Sequence, residues 1–178
     1  MKGPNLCLVI DADIARMAGP DPKAHPWPAG AKLSHDILAE LRKMKGYHFA
    51  FDRTLLAEWK KHQGRTASRW LADMLAAGRI NRVHKIESEW LDTLIKALPE
   101  PDQAVAFKDK HLILLAHAPG DDRILSGDEK AREKFARLRD ERLDPMLWIG
   151  PTQGCKRWIR DGAPIVGEWQ LGFRAPAK

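Results

Sequence analysis

Two rhythms of apolar and polar positions run along this 178-residue chain. Short unbroken apolar runs, most of them stopping at an acid or at a glycine–acid pair, predict strands buried on both faces. Leu6-Cys7-Leu8-Val9-Ile10 stops at Asp11-Ala12-Asp13, and Tyr47-His48-Phe49-Ala50-Phe51 stops at Asp52. Arg123-Ile124-Leu125-Ser126 stops at Gly127-Asp128, residues 146–149 read as the final strand of the sheet, and a short strand is expected within residues 80–86. Between them, apolar residues recur every three or four positions and predict helices. One short helix runs to about Ala18 before Gly19-Pro20, and another covers residues 34–45 up to Gly46. Further stripes are Leu55, Leu56 and Trp59; Ala67, Trp70, Leu71, Met74 and Leu75; and Trp90, Leu91, Leu94, Ile95 and Leu98. A long helix over residues 103–118 and a charged one with Ala131, Phe135 and Leu138 facing inward complete the set.

Strands alternating with helices predict an α/β protein, a three-layer α/β/α sandwich around a mostly parallel central sheet. Pro22, Pro26, Pro28 and Gly30 mark residues 21–32 as a loop, with Trp27 plugging the core. One domain is expected over residues 1–150. Residues 151–178, with Trp158, Ile165, Val166 and Trp169, form a C-terminal extension packed on that domain or extending from it.

Composition narrows the class. Hydrophobic residues make up 44% and charged residues 30%, as in a soluble globular protein, and no apolar run approaches a membrane helix. The N-terminus lacks a signal peptide's apolar region, so a cytoplasmic location is expected. Cys7 and Cys155 are far apart and argue against a disulfide framework or a cysteine zinc site. A net charge of +6 permits a polyanionic partner. Basic residues crowd one segment, Lys60, Lys61, Arg65, Arg69, Arg79, Arg82 and Lys85. Of these, Lys60, Arg65 and Arg69 are candidates for guiding a nucleic-acid backbone.

Acids sharpen the picture. Asp11 and Asp128 follow predicted parallel strands and emerge on the same edge of the sheet, where open α/β folds place ligands. Asp13, Glu58 and Asp109 join them if their helices pack at that edge. Converging carboxylates repel one another, and a hard divalent cation, magnesium or manganese, resolves the conflict. Such a site activates water for attack on a phosphodiester. Each acid also has a plain structural reading. Asp13 can cap the following helix while Asp11 is solvated, and Asp128 with Glu129 can cap another. Glu58 can pair with Lys61 or His62, and Asp52 competes with Glu58 for a place in the site. His48, His62, His84, His111 and His117 lack metal-ligand spacing and are read as non-catalytic.

Four motifs then stand in order: Val9-Ile10-Asp11-Ala12-Asp13-Ile14, Leu55-Leu56-Ala57-Glu58, Lys108-Asp109-Lys110-His111-Leu112-Ile113-Leu114-Leu115-Ala116, and Ile124-Leu125-Ser126-Gly127-Asp128. With the nineteen-residue step from Asp109 to Asp128, the set resembles the PIN-domain ribonucleases, a family that includes toxins of bacterial toxin–antitoxin pairs. The resemblance covers residues 6–149 and implies a PIN-like sandwich. It implies catalysis by Asp11, Glu58, Asp109 and Asp128, and Mg2+ or Mn2+ held by Asp11, Asp13, Asp109 and Asp128 with Ser126 in support. It also implies RNA as partner, and leaves room for a small antitoxin-type protein and for a homodimer. The chain exceeds the compact toxins by the loop near Trp27 and the tail after Gly150. An apolar strand followed by Asp-x-Asp also resembles haloacid-dehalogenase-like phosphatases, in which the first Asp, here Asp11, is a nucleophile and Gly120-Asp121-Asp122 would be the late acidic motif. Against that reading, Ile14-Ala15 stands where Thr or Val is expected, and the late acids follow a helix instead of a strand. A third reading is a PIN-like module that binds RNA or protein without cutting.

Overall fold

Five consecutive apolar residues offer no face to water, and the strand they form, Leu6–Ile10 (β1), lies in mid-sheet with Cys7 to Ile10 buried. The computed structural model describes residues 6–19, 30–61, 64–118, 122–162 and 169–170. After β1 the chain forms α1 (Ala12–Met17), α2 (Ala31–Lys43), β2 (Tyr47–Phe51), α3 (Arg53–Lys61), α4 (Arg65–Ala76) and β3 (Ile80–Arg82). It continues through α5 (Glu89–Lys96), α6 (Glu100–His117), β4 (Arg123–Leu125), α7 (Glu129–Phe135), β5 (Leu147–Ile149), α8 (Gln153–Asp161) and β6 (Trp169–Gln170). The expected α/β sandwich is therefore present. The loop carrying Trp27, His62, the Pro119-Gly120 stop with Asp121, and Ile165 and Val166 lie outside the described residues.

The strand order is β3-β2-β1-β4-β5-β6, with the first five strands parallel. The chain steps outward from β1 to β3, returns past β1 to β4, and steps outward the other way. Right-handed crossovers put the helices of the two excursions on opposite faces. Accordingly α1 to α4 pack against one another, as do α5 to α7. The expectation that residues 146–149 form the last strand fails, because β6 pairs antiparallel outside β5. Residues beyond 150 also supply α8, which packs on α2, with Lys156 Nζ 3.2 Å from Asp36 Oδ2.

Aromatic residues fill the layer under α3 and α4. Phe49 meets Trp70 edge-on at 4.8 Å, Phe51 meets Trp59 at 5.5 Å, and the two tryptophans lie 5.3 Å apart. Both indoles are satisfied: Trp70 Nε1 donates to the Leu38 carbonyl at 2.9 Å and Trp59 Nε1 to the Ile10 carbonyl at 3.0 Å. Close packing reaches the backbone where α1 ends and α4 begins; a Cβ at Gly64 would meet Gly19 Cα at 2.4 Å. Among the described residues no helix is long and apolar enough to cross a membrane.

One member of the basic segment is interior. Arg79 is 7% exposed and donates from Nε to Tyr47 O at 2.8 Å and from its terminal nitrogens to Leu41 O, Arg42 O and Met44 O at 2.7–3.1 Å. It thereby satisfies carbonyls left open at the C-terminal end of α2. Arg79→Met, which keeps bulk and removes every donor, is expected to lower unfolding free energy by about 3 kcal/mol in urea denaturation. An unchanged midpoint would show that water satisfies these carbonyls equally well.

Candidate functional site

Parallel pairing sets the first two components. Val9 and Ile10 stand in register with Ile124 and Leu125, and the ladder continues as the Asp11 amide donates to Leu125 O at 2.9 Å. The Ser126 amide donates to Ile149 O at 3.0 Å, extending β4 beside β5. Asp11 and Ser126 thus leave adjacent strands together at the point where the chain reverses its direction of travel across the sheet, the crevice in which such folds bind ligands. Ser126 Oγ donates to Asp11 Oδ2 at 2.7 Å and accepts from the Asp128 amide at 3.0 Å. Asp11 and Ser126 are 8% and 1% exposed.

The next carboxylate crosses the crevice. The Gly127 amide donates to Asp13 Oδ2 at 2.8 Å, and a Cβ at Gly127 would lie only 2.9 Å from that oxygen, so glycine is what allows the approach. Asp13 is therefore not the helix cap. Asp11 occupies the N-cap position of α1, and its side chain makes no capping bond. Asp128, by contrast, does cap: its Oδ1 accepts from the Ala131 amide at 3.0 Å at the start of α7. The structural reading of Asp128 holds alongside its place in the crevice.

Asp109 arrives from the opposite layer. Residues 111–116 of α6 are all buried, and Asp109, 8% exposed, is carried inward with them. Its carboxyl is pushed up to about 6, first by burial and then by the charges of Asp11 and Asp128, against the pull of Lys108 and His111. The Asp13 carboxyl is pushed up to about 7, again chiefly by burial, then by Asp11 and more weakly by Asp128, against hydrogen bonds from the Gly127 and Ile14 amides. Asp11 and Asp128 thus bear on both Asp13 and Asp109, carboxyls carried in from different segments. Asp13 Oδ1 is buried without a hydrogen-bond partner.

Among the described residues no three His, Cys, Asp or Glu side chains are gathered to hold an ion in the positions they occupy here. Asp11 and Asp13 are each tied to the β4–α7 loop, and Asp128 is tied to its helix. The donor set itself, carboxylate oxygens without sulfur, suits a hard divalent cation, and the unpartnered Asp13 oxygen is a free donor of that kind.

Glu58 stands one step away. The Trp59 bond to the Ile10 carbonyl docks α3 over the end of β1, and Glu58 Oε2 lies 3.2 Å from His111 Nε2 of α6. Alignment falls short of a hydrogen bond, leaving that buried nitrogen without one. His111 Nδ1 lies 3.2 Å from the Lys108 carbonyl. Among the described residues Glu58 stands against His111 and is not paired with Lys61. Asp52 caps α3, its Oδ1 accepting from the Leu55 amide at 2.7 Å. His111, read as non-catalytic from its spacing, joins the site. The available signal was a histidine opening an otherwise apolar run two residues after Asp109. Lys60, Arg65 and Arg69 are exposed along α3 and α4, and among the described cavities they line none that adjoins the carboxylates.

A scan against family models finds no match for this chain. Searches of curated proteins and of solved structures find none either.

Crowded carboxyls make a stability prediction with a definite sign. The folded state holds a proton on Asp13 up to about pH 7, whereas an unfolded aspartate releases it near 3.8, so stability falls as pH rises through that window and stays low above it. Asp13→Asn keeps the acceptor for Gly127 and removes the charge. In chelator, the variant is expected to be more stable than the parent by about 2–4 kcal/mol at pH 8, with no gain at pH 4, by urea unfolding. A gain that persists at pH 4 would point to packing instead of charge.

Proposed function

We propose that this protein is a PIN-like, metal-dependent ribonuclease that hydrolyses RNA phosphodiester bonds at the carboxylate crevice. What supports the reading is that Asp11, Asp13 and Asp128 stand about the hydrogen-bonded ends of β1 and β4, and that Asp13 and Asp109 are each held back from ionisation first by burial and then by the charges of Asp11 and Asp128. Sequestering four acids there weakens the fold unless a cation neutralises them. Those four residues would hold Mg2+ or Mn2+, which when bound supplies activated water and stabilises the leaving oxygen.

The chain's own residues do the positioning. Ser126 fixes one oxygen of Asp11, the role that polar partners of metal-binding carboxylates play generally. Gly127 holds Asp13 by its amide. Glu58 against His111 supplies a proton acceptor at the rim. A net charge of +6 favours a polyanionic substrate.

One observation favours a second reading. An Asp13 carboxyl near neutrality beside Asp11 suits a proton donor next to an aspartyl nucleophile, as in a phosphatase. Against it, Asp122 precedes β4, at the sheet edge opposite Asp11, so that motif cannot serve the same site.

Purified protein with Mn2+ or Mg2+ is expected to cleave labelled RNA and to lose cleavage in chelator. Asp11→Asn and Asp128→Asn should each reduce the rate by more than about a hundredfold, and Ser126→Ala by about ten- to a hundredfold. If Asp11→Asn cleaves as well as the parent, the proposal fails. Hydrolysis of para-nitrophenyl phosphate, with beryllofluoride trapped on Asp11, would replace it with the phosphatase reading.

A further inference from the structure

Beside His111 a cavity of about 440 Å3 opens between the start of α3, the β3–α5 loop and the middle of α6. Arg53, Thr54, His84, Ser88 and Lys110 share its wall with His111. A second cavity of about 260 Å3 continues from it, since Ile86 and Leu114 line both. Lys85, Trp90, His117 and Arg142 line the far part. Together they make a groove along α5 and α6, with His111 at one end and Arg142 at the other.

The groove's chemistry is uneven in an informative way. Its acids are Asp52, which caps α3, and Glu87. Lys110 is paired with Asp92 at 2.6 Å, and Arg142 with Asp140 at 2.7 Å. Among the described residues, the side chains of Arg53 and Lys85 make no hydrogen bond or ion pair, so each has its charge to offer. At the distal end the Arg142 guanidinium lies 4.4 Å from the Trp90 ring centroid, and His117 meets that ring edge-on at 5.4 Å. A guanidinium stacked on an indole is a flat, cationic platform of the kind on which nucleobases stack. At the proximal end His111, whose Nε2 is buried without a hydrogen bond, lines the groove.

We infer that this groove is the track for single-stranded RNA, with Arg53 and Lys85 on backbone phosphates and the Arg142–Trp90 stack on a base. The inference rests on the ribonuclease reading for the identity of its ligand, and it moves the RNA contacts from Lys60, Arg65 and Arg69 to the start of α3 and the flank of α5 and α6. A chain laid in the groove would deliver a phosphodiester to the carboxylates beyond His111. The flat platform and the two free cations fit a stacked polyanion better than an acidic peptide, which needs no ring surface.

Binding is read apart from cleavage by using the full chain carrying Asp128→Asn, without divalent cation, and a short fluorescein-labelled single-stranded RNA in anisotropy titrations. Arg53→Ala with Lys85→Ala is expected to weaken binding by about tenfold and to flatten the slope of log affinity against log salt by about 1.4. Arg142→Ala should weaken it by roughly five- to tenfold through lost stacking. Lys43→Ala with Lys45→Ala removes the same charge at the far edge of the sheet and should leave affinity within about twofold. The groove is overturned if RNA does not bind, if the Lys43/Lys45 pair costs as much as the groove pair, or if affinity falls instead with Lys60, Arg65 and Arg69. It is overturned also if poly-glutamate competes as well as RNA. Groove-dependent binding by a parent protein that never cleaves would keep the groove and remove the nuclease reading, so the two failures are separable.

Discussion

Parallel pairing of β1 with β4 is the constraint from which the rest of this molecule follows. The two strands are adjacent in space but separated in sequence by everything from α1 to α6, and the crossovers on either side lead to opposite faces. A crevice is left at their carboxyl ends that no crossover covers. Asp11 and Ser126 leave the ladder there in register, and Asp13 and Asp128 follow within two residues. A slip of one residue in that pairing would turn Asp11 into the core and separate it from Ser126.

The two edges of the sheet handle charge in opposite ways. At the amino edge a lone guanidinium, Arg79, is dissolved among carbonyl oxygens from the end of α2 and the start of β2. Helix C-terminal dipoles favour that cation, and no acid is required. At the carboxyl edge acids gather about the crevice, moderated by the Ser126 hydroxyl, by the Ile14, Gly127 and Ala131 amides, and by Lys108 and His111. The first arrangement is electrostatically complete. The second is held in shape by neighbours: Trp59 bonded to the Ile10 carbonyl behind Asp11, and the buried length of α6 behind Asp109.

Most of the fold was legible because its signals are local. An unbroken apolar run specifies a doubly buried strand, and apolar spacing specifies each helix, so order and layers followed from residues 6–149 alone. The tail was opaque for a physical reason: α8 is polar except for a narrow stripe including Cys155 and Ile159, and β6 is two residues long. Nothing set Arg79 apart from the rest of the basic segment, because its partners are backbone carbonyls, which leave no trace in side-chain sequence. In the crevice, Asp11 and Asp109 were visible as acids interrupting apolar patterns. His111 was not, since a histidine inside a buried helix looks the same whether it fills space or faces a carboxylate across two layers. Glu58 and Asp52 sit on one helix and at its cap, and which of them turns toward α6 depends on the docking of Trp59.

The short antiparallel strand β6 has a bearing on solubility. A parallel sheet ends in rows of unpaired amides and carbonyls that invite another chain to add itself, and β5, with Trp148 and Ile149 buried, is an apolar margin of that kind. β6 occupies that margin from within the chain. On the other side β3 is only three residues long and presents exposed Asn81 and Arg82, a margin too short and too polar to recruit a partner strand. Among the described residues the sheet's margins are thus a two-residue strand and a short polar one, neither of which offers a partner strand a long ladder.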